Sequence, residues 1–237
     1  MKLRSIMCVG AVALTAAAFA TDVLTDEKTL GWMRVDSTLP ITAVGVPWTD
    51  VGNPANNVKV ADLVKTDGLT AGDNLYVYNN GTWTFYTLSD GAWVAGTTAN
   101  SSVTATAGSP GTATIERGQA LYLERKNPTD PAYFYVYGAV GSALSTSSYS
   151  GATKYLVASP KAEAFKVTSG KISGASNKDV IQVPLAGGAS RIYQYFSSQN
   201  KWRCNGKWQD AEGYEDIPLG TGFWYLASSE NTITFTW

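Results

Sequence analysis

In Thr232-Ile-Thr-Phe-Thr-Trp237 every second residue is large and apolar, and the same period of two recurs in block after block. Leu75 and Val77 oppose Tyr76 and Tyr78, Trp83 and Phe85 share one side of residues 82–86, and Tyr133-Phe-Tyr-Val-Tyr137 repeats the pattern. Successive side chains of a strand point to opposite faces, so this period between turn residues specifies half-buried antiparallel strands. Asn79-Asn80-Gly81 and Ser89-Asp90-Gly91 are hairpin signals, because Asn and Asp tolerate a positive φ and Gly adopts it freely. Helical periodicity is confined to 57–65, two turns at most. Only 16% of residues are charged, against 23 Gly, 13 Tyr and 8 Trp, a composition of strands and turns. An all-β fold is expected.

The blocks also recur as a larger unit. Leu75-Tyr-Val-Tyr78 followed by Trp83 and Trp93 parallels Ile192-Tyr-Gln-Tyr195 followed by Trp202 and Trp208. Glu116-Arg-Gly-Gln-Ala-Leu-Tyr-Leu123 parallels Pro218-Leu-Gly-Thr-Gly-Phe-Trp-Tyr225. Each copy opens on an apolar strand ending in Pro, Ala43-Val-Gly-Val-Pro47 and Tyr155-Leu-Val-Ala-Ser-Pro160, and closes on an aromatic strand. Landmarks in one order predict a duplication. A first antiparallel, sandwich-like β module spans 21–138, a Ser/Gly/Ala linker 139–152, and a second module 153–237. This alignment sets Tyr76 on Tyr193 and Tyr122 on Trp224. The Gly/Ser/Thr/Ala run 95–112, present in the first copy alone, reads as a long surface loop or an added hairpin.

Residues 1–20 read as a signal peptide. Lys2 and Arg4 precede an apolar run from Ile6 to Phe19, and Ala18-Phe19-Ala20 is a small-x-small cleavage site before Thr21. The run is shorter than the ~20 apolar residues that span a bilayer. Ser5-Ile6-Met7 also lacks the small residue expected beside a lipidated Cys8. A secreted, periplasmic or cell-surface location follows, with no transmembrane segment after cleavage. Cys204 is then the lone cysteine, and the core rather than a disulfide must hold the fold. Removing Lys2 and Arg4 takes the formal charge from −1 to −3. With no basic stripe, a nucleic-acid partner is not expected. The sequence contains no histidine, which excludes Ser-His-Asp and Cys-His catalysis and every His-ligated zinc site.

A signal peptide, Tyr-x-Tyr strands, Trp-rich hairpins and the ending Pro218-Leu-Gly-Thr-Gly-Phe-Trp224 together resemble a group of uncharacterised secreted bacterial proteins with duplicated Tyr/Trp-rich β modules. The first copy departs from the pattern, with Glu116-Arg117 for the Pro-x pair and Ala120-Leu121-Tyr122 for Gly-Phe-Trp. The resemblance implies export and architecture and carries no chemistry.

Three candidate sites remain, each with a plainer alternative. Trp83, Trp93, Trp202 and Trp208 lie in or beside hairpins, where a ring face can stack on a sugar with Asn205 nearby as a polar partner. Alternatively they fill the core. Asp210, Glu212, Glu215 and Asp216 form a weak calcium candidate or a glycosidase acid pair, and otherwise a solvated loop. The terminal Ile233, Phe235 and Trp237 suit a barrel's last strand, or simply the last strand of a core. The leading expectation is a non-catalytic structural or adhesive protein needing no cofactor, with envelope proteins or cell-surface glycans as partners. A carbohydrate-binding module comes second and a carboxylate-dependent glycoside hydrolase third. N-terminal sequencing of the exported form should return Thr21; an intact Met1 or a lipid on Cys8 would refute the processing scheme.

Overall fold

A computed structural model describes residues 30–36, 41–47, 57–63, 68–79, 81–97, 104–127, 133–139, 146–161, 163–185 and 189–237. The expected signal peptide lies outside them. The described chain is all-β, with regular structure almost entirely in antiparallel sheets.

Its first part runs β1 (Leu30–Asp36), β2 (Ile41–Gly45), β3 (Val58–Lys59), the single-turn α1 (Val60–Leu63), β4 (Asn74–Asn79), β5 (Thr82–Ser89), β6 (Ala92–Ala95), β7 (Thr106–Ala107), β8 (Thr114–Ile115), β9 (Ala120–Glu124) and β10 (Tyr133–Ala139). Its second part runs β11 (Thr146–Tyr149), β12 (Lys154–Val157), β13 (Ile172–Ser173), β14 (Val180–Pro184), β15 (Ser190–Phe196), β16 (Lys201–Cys204), β17 (Lys207–Trp208), β18 (Phe223–Leu226) and β19 (Ile233–Thr236).

The main sheet of the first part has the order β2-β9-β4-β5-β6, with β7 lying parallel along β5. That of the second has the matching order β12-β18-β14-β15-β16, extended by β17. In each part the strand before the main sheet pairs with the last strand, β1 with β10 and β11 with β19. Thr146–Tyr149, expected as linker, is therefore a strand of the second part.

Strand order also corrects the expected alignment. Tyr76 on β4 faces Tyr122 on β9, whereas Tyr193 sits on β15, which pairs with β14 and β16 and not with β18. Tyr193 thus matches Tyr86, and Tyr76 matches Gln182. Trp93 opposite Leu88 matches Trp202 opposite Tyr195. The expected pair Tyr122 and Trp224 does stand at matching positions on β9 and β18. Residue type misleads here, because aromatic residues recur in both parts, while strand order follows which side chains each part buries.

Alternation assigns the faces. Leu75, Val77, Leu88, Trp93, Leu121 and Leu123 turn into one core with Val58, Val60 and Ile115. Tyr193, Tyr195, Trp202, Phe223, Tyr225 and Phe235 turn into a second. Each such buried side chain contributes about 1.5–3 kcal/mol relative to remaining exposed. In the first sheet the opposite face carries Tyr76 stacked on Phe85, ring centres 5.7 Å apart. Part of the run expected as a surface loop folds back on this sheet: Gly108 donates its N–H to Phe85 O at 3.0 Å, and Gly96 lies against the Phe85 ring.

The two parts meet through reciprocal contacts. Gly45 N–H donates to Gly220 O and Ala158 N–H to Gly118 O, both at 2.8 Å. Val44 bridges Thr221, and Gln119 bridges Val157. Between them Ala120, Leu156, Ala158 and Trp224 form a third apolar cluster, with Tyr78, Trp83 and Tyr122 against it. The backbones approach closely. A Cβ on Gly222 would fall 2.6 Å from the Ala120 Cβ, and one on Gly45 would fall 2.7 Å from the Ala158 Cβ.

Each main sheet is also tied by one buried aspartate. Asp73 accepts from Thr70 N–H at 2.9 Å and Lys126 N–H at 2.8 Å, and its carboxylate meets Arg125 Nε at 2.9 Å. Asp179 accepts from Ser176 N–H at 2.8 Å, the Tyr225 hydroxyl, and both the N–H and hydroxyl of Ser228. Burial pushes the Tyr225 hydroxyl pKa up, and the adjacent carboxylate raises it further, so the phenol stays protonated and donates. Asp179→Ala strands the Tyr225 hydroxyl and two backbone donors. Chemical denaturation should show a loss of about 3–5 kcal/mol, the range for breaking a buried charged network by removing one member.

Candidate functional site

Three of the four candidate tryptophans are committed to packing. Trp93 and Trp202 are 5% and 0% exposed, inside the first and second cores. Trp83 is half-buried and stacks on Tyr122 with ring centres 5.1 Å apart, with Trp224 edge-on at 5.9 Å. The stacking-platform expectation fails for Trp93 and Trp202 because alternation turns both rings into the cores, and Trp83 spends a ring face on Tyr122.

Trp208, on the short β17, differs. It is half-buried, edge-on to Phe196 at 5.4 Å, with the Arg203 guanidinium 5.5 Å from the ring centre. Its neighbour Asn205 is exposed and shapes the β16–β17 hairpin, where Asn205 and Gly206 both take positive φ (49° and 81°) as a primed turn requires. The Asn205 amide donates to Glu215 Oε1 at 3.4 Å.

The acidic segment is drawn apart by basic partners. Asp210 accepts from Lys201 Nζ at 2.8 Å, which holds its carboxyl below the usual range. Glu215 forms an ion pair with Arg191, and Arg191 also donates to Asp216 O at 3.0 Å. Among the described residues no three ligating side chains converge where a metal ion could sit, so the calcium candidate of Asp210, Glu212, Glu215 and Asp216 is not assembled. Cys204 lies buried opposite Tyr193 in the second core, where desolvation pushes its thiol pKa up and keeps it protonated. Ile233, Phe235 and Trp237 are likewise buried in that core, with β19 paired between β11 and β13. Among the described residues no helix is long and apolar enough to cross a membrane.

The described pocket with chemistry in its walls lies elsewhere, in a cleft of about 420 Å³ where the two parts meet. Tyr78, Glu116 and Gln119 line it from the first part, and Ser147, Tyr149 and Lys154 from the second. Gln119 is fixed at both ends: its amide donates to Tyr78 O at 3.0 Å, and its oxygen accepts from Glu116 N–H at 3.1 Å. Lys154 Nζ sits 4.0 Å from the centre of the Trp224 ring, a cation–π contact on the wall. Burial raises the Tyr149 hydroxyl pKa most, and the Glu116 charge raises it further. Sequence reasoning missed this place because 116–119 and 146–156 converge only in the fold. The one signal is Glu116-Arg117, which the expected alignment sets against Pro218-Leu219.

Comparison with known proteins finds no matching family model, no matching characterised protein and no matching solved structure. The two ring environments separate cleanly in stability. Trp202→Ala should cost about 3–5 kcal/mol, as truncating a buried Trp does. Trp208→Ala should stay within about 1 kcal/mol of the parent by urea denaturation; a loss as large as that at Trp202 would make Trp208 a core residue.

Proposed function

We propose that the chain is an exported, non-catalytic protein built from a duplicated β module, with a structural or adhesive role at or outside the cell surface. The observation that carries this reading is how its acids are used. Asp73, Asp179 and Glu124 are buried, and each accepts hydrogen bonds that hold its own sheet together. Glu124, for example, takes the Tyr76 hydroxyl at 2.7 Å and the Asn74 amide at 3.1 Å. Asp210 and Glu215 are paired with cations. A glycosidase needs two carboxylates roughly 5–10 Å apart across a cleft. Among the described residues the cleft between the parts is lined by a single acid, Glu116. With no histidine in the chain, general-base catalysis by histidine is excluded.

The duplication is supported by the matching strand orders and by two aspartates in one arrangement. Thr70-Ala-Gly-Asp73 and Ser176-Asn-Lys-Asp179 each close a turn onto their own aspartate, three residues on, directly before a central strand. A carbohydrate-binding role is the second reading, favoured at the surface by half-exposed Trp208 beside Asn205.

Purified protein incubated with a panel of glycosides should release no reducing sugar, and fractionated producer cells should hold it in the envelope or the medium. Turnover abolished by Glu116→Gln or Glu212→Gln would establish the hydrolase reading instead, and retention in the cytoplasm would defeat the exported one.

A further inference from the structure

The cleft between the parts opens on one side of a contact that is otherwise reciprocal. Matched by strand order, Glu116, Arg117 and Gln119 correspond to Pro218, Leu219 and Thr221. Lys154 corresponds to Ile41, and Tyr78 to Pro184. The flanking strand carries Thr146-Ser-Ser-Tyr149 on one side, while on the other it is β1 with Met33. On the Leu219 side the space is filled. Met33 is 6% exposed, packs with Leu219 and Val35 on the first core, and lays its thioether over Gly220. Apolar side chains seal one flank of the contact, and at the matching positions of the other flank charges, amides and hydroxyls surround open volume.

The chemistry of that flank carries both signs of charge. Lys154 supplies an ammonium and Glu116 a carboxylate, both on exposed residues, and the half-buried Arg117 adds a guanidinium to the wall. Around them stand the Gln119 amide, the hydroxyls of Ser147, Ser148 and Tyr149, and the ring of Tyr78. The walls are held in place by bonds behind them. Ser147 Oγ accepts from Trp237 Nε1 at 2.9 Å, Ser148 Oγ is 2.8 Å from Thr234 Oγ1, and Arg117 Nε donates to the carbonyls of Pro47 and Pro160. A set of fixed donors and acceptors with charges of both signs suits a ligand that is hydroxylated and uncharged, and the volume falls in the ~300–1,000 Å³ range of ligand sites. An ion would meet a like charge on one wall, and an apolar ligand would leave the polar walls unpaired.

We infer that this cleft binds a short segment of a neutral oligosaccharide across the two parts. The inference rests on the duplicated-module reading only for the comparison of the two flanks; the adhesive role stands or falls separately.

The test is calorimetric titration of the purified protein with neutral gluco-, manno-, xylo- and N-acetylglucosamine oligosaccharides, with Trp fluorescence as a second readout because Trp224 underlies Lys154. At least one series should bind. Lys154→Ala and Glu116→Gln should each weaken binding about tenfold or more, the scale of a lost hydrogen bond to a charged group. Both residues are exposed, so the melting temperature should hold, and Trp208→Ala should leave binding unchanged. Failure of every oligosaccharide to bind overturns the proposal, as does binding that survives both cleft substitutions or disappears in Trp208→Ala. Preference for an acidic saccharide or a peptide over the neutral series overturns the ligand class. None of these failures touches the envelope fractionation, so the exported, adhesive reading can survive the loss of this one.

Discussion

A carboxylate removed from water must collect hydrogen bonds from whatever the chain brings to it, and the rest of this fold is arranged around two that do. Asp179 accepts from the turn before β14 and from the residues just after β18, while its backbone carbonyl accepts from Tyr195 on β15. Asp73 does the same among the turn before β4, the end of β9 and Leu88 on β5. Each aspartate, through its carboxylate and its backbone carbonyl together, thus ties the three central strands of its sheet at one end. Hydrophobic burial supplies most of the driving force, but it is non-directional, and these bonds fix which strands are neighbours and in what register.

With register set, alternation distributes the rings. Phe223 and Tyr225 go to the second core, and Trp224 between them is sent to the junction of the two parts, where it meets Tyr122, Tyr78 and Trp83. The junction is aromatic because both sheets present their β9-type strand to it. It is close because small residues occupy the crossing points. The cleft is what remains on the flank where Met33 has no counterpart.

Much of the fold was legible because alternation is a direct image of the pleat. The strands around Leu75, Trp83, Phe223 and Ile233 are where the sequence puts them, and the weak helical period at 57–65 appears as one turn at Val60–Leu63. The correspondence between the two parts is less legible. Tyr76 and Tyr193 look alike in sequence yet occupy different strands, because side-chain type reports burial and not strand order. Asp73 and Asp179 mark the correspondence in strand order through the Thr/Ser-x-x-Asp spacing, but two short polar turns are quiet beside so many aromatics. The candidate tryptophans divide on a similar point: a Trp beside a hairpin signal can end a strand on either face, and Trp93 and Trp202 take the inner one, as the core alternative has it. The cleft depends on tertiary convergence of 116–119 with 146–156, which no local pattern encodes.

The two crossing points have a consequence for what each half can pair with. At one, Gly45 of the first half meets Ala158 of the second; at the other, Ala120 of the first meets Gly222 of the second. These are matching positions, so every crossing holds one methyl group and one hydrogen. A half docked onto its own copy would set two methyls on one point, where even a single added Cβ falls 2.6–2.7 Å from its neighbour, and leave two hydrogens at the other. Self-pairing is sterically penalised at one contact and underpacked at the next, while the cross-pairing fits both. The steric fit at both crossings makes these two halves each other's specific partner.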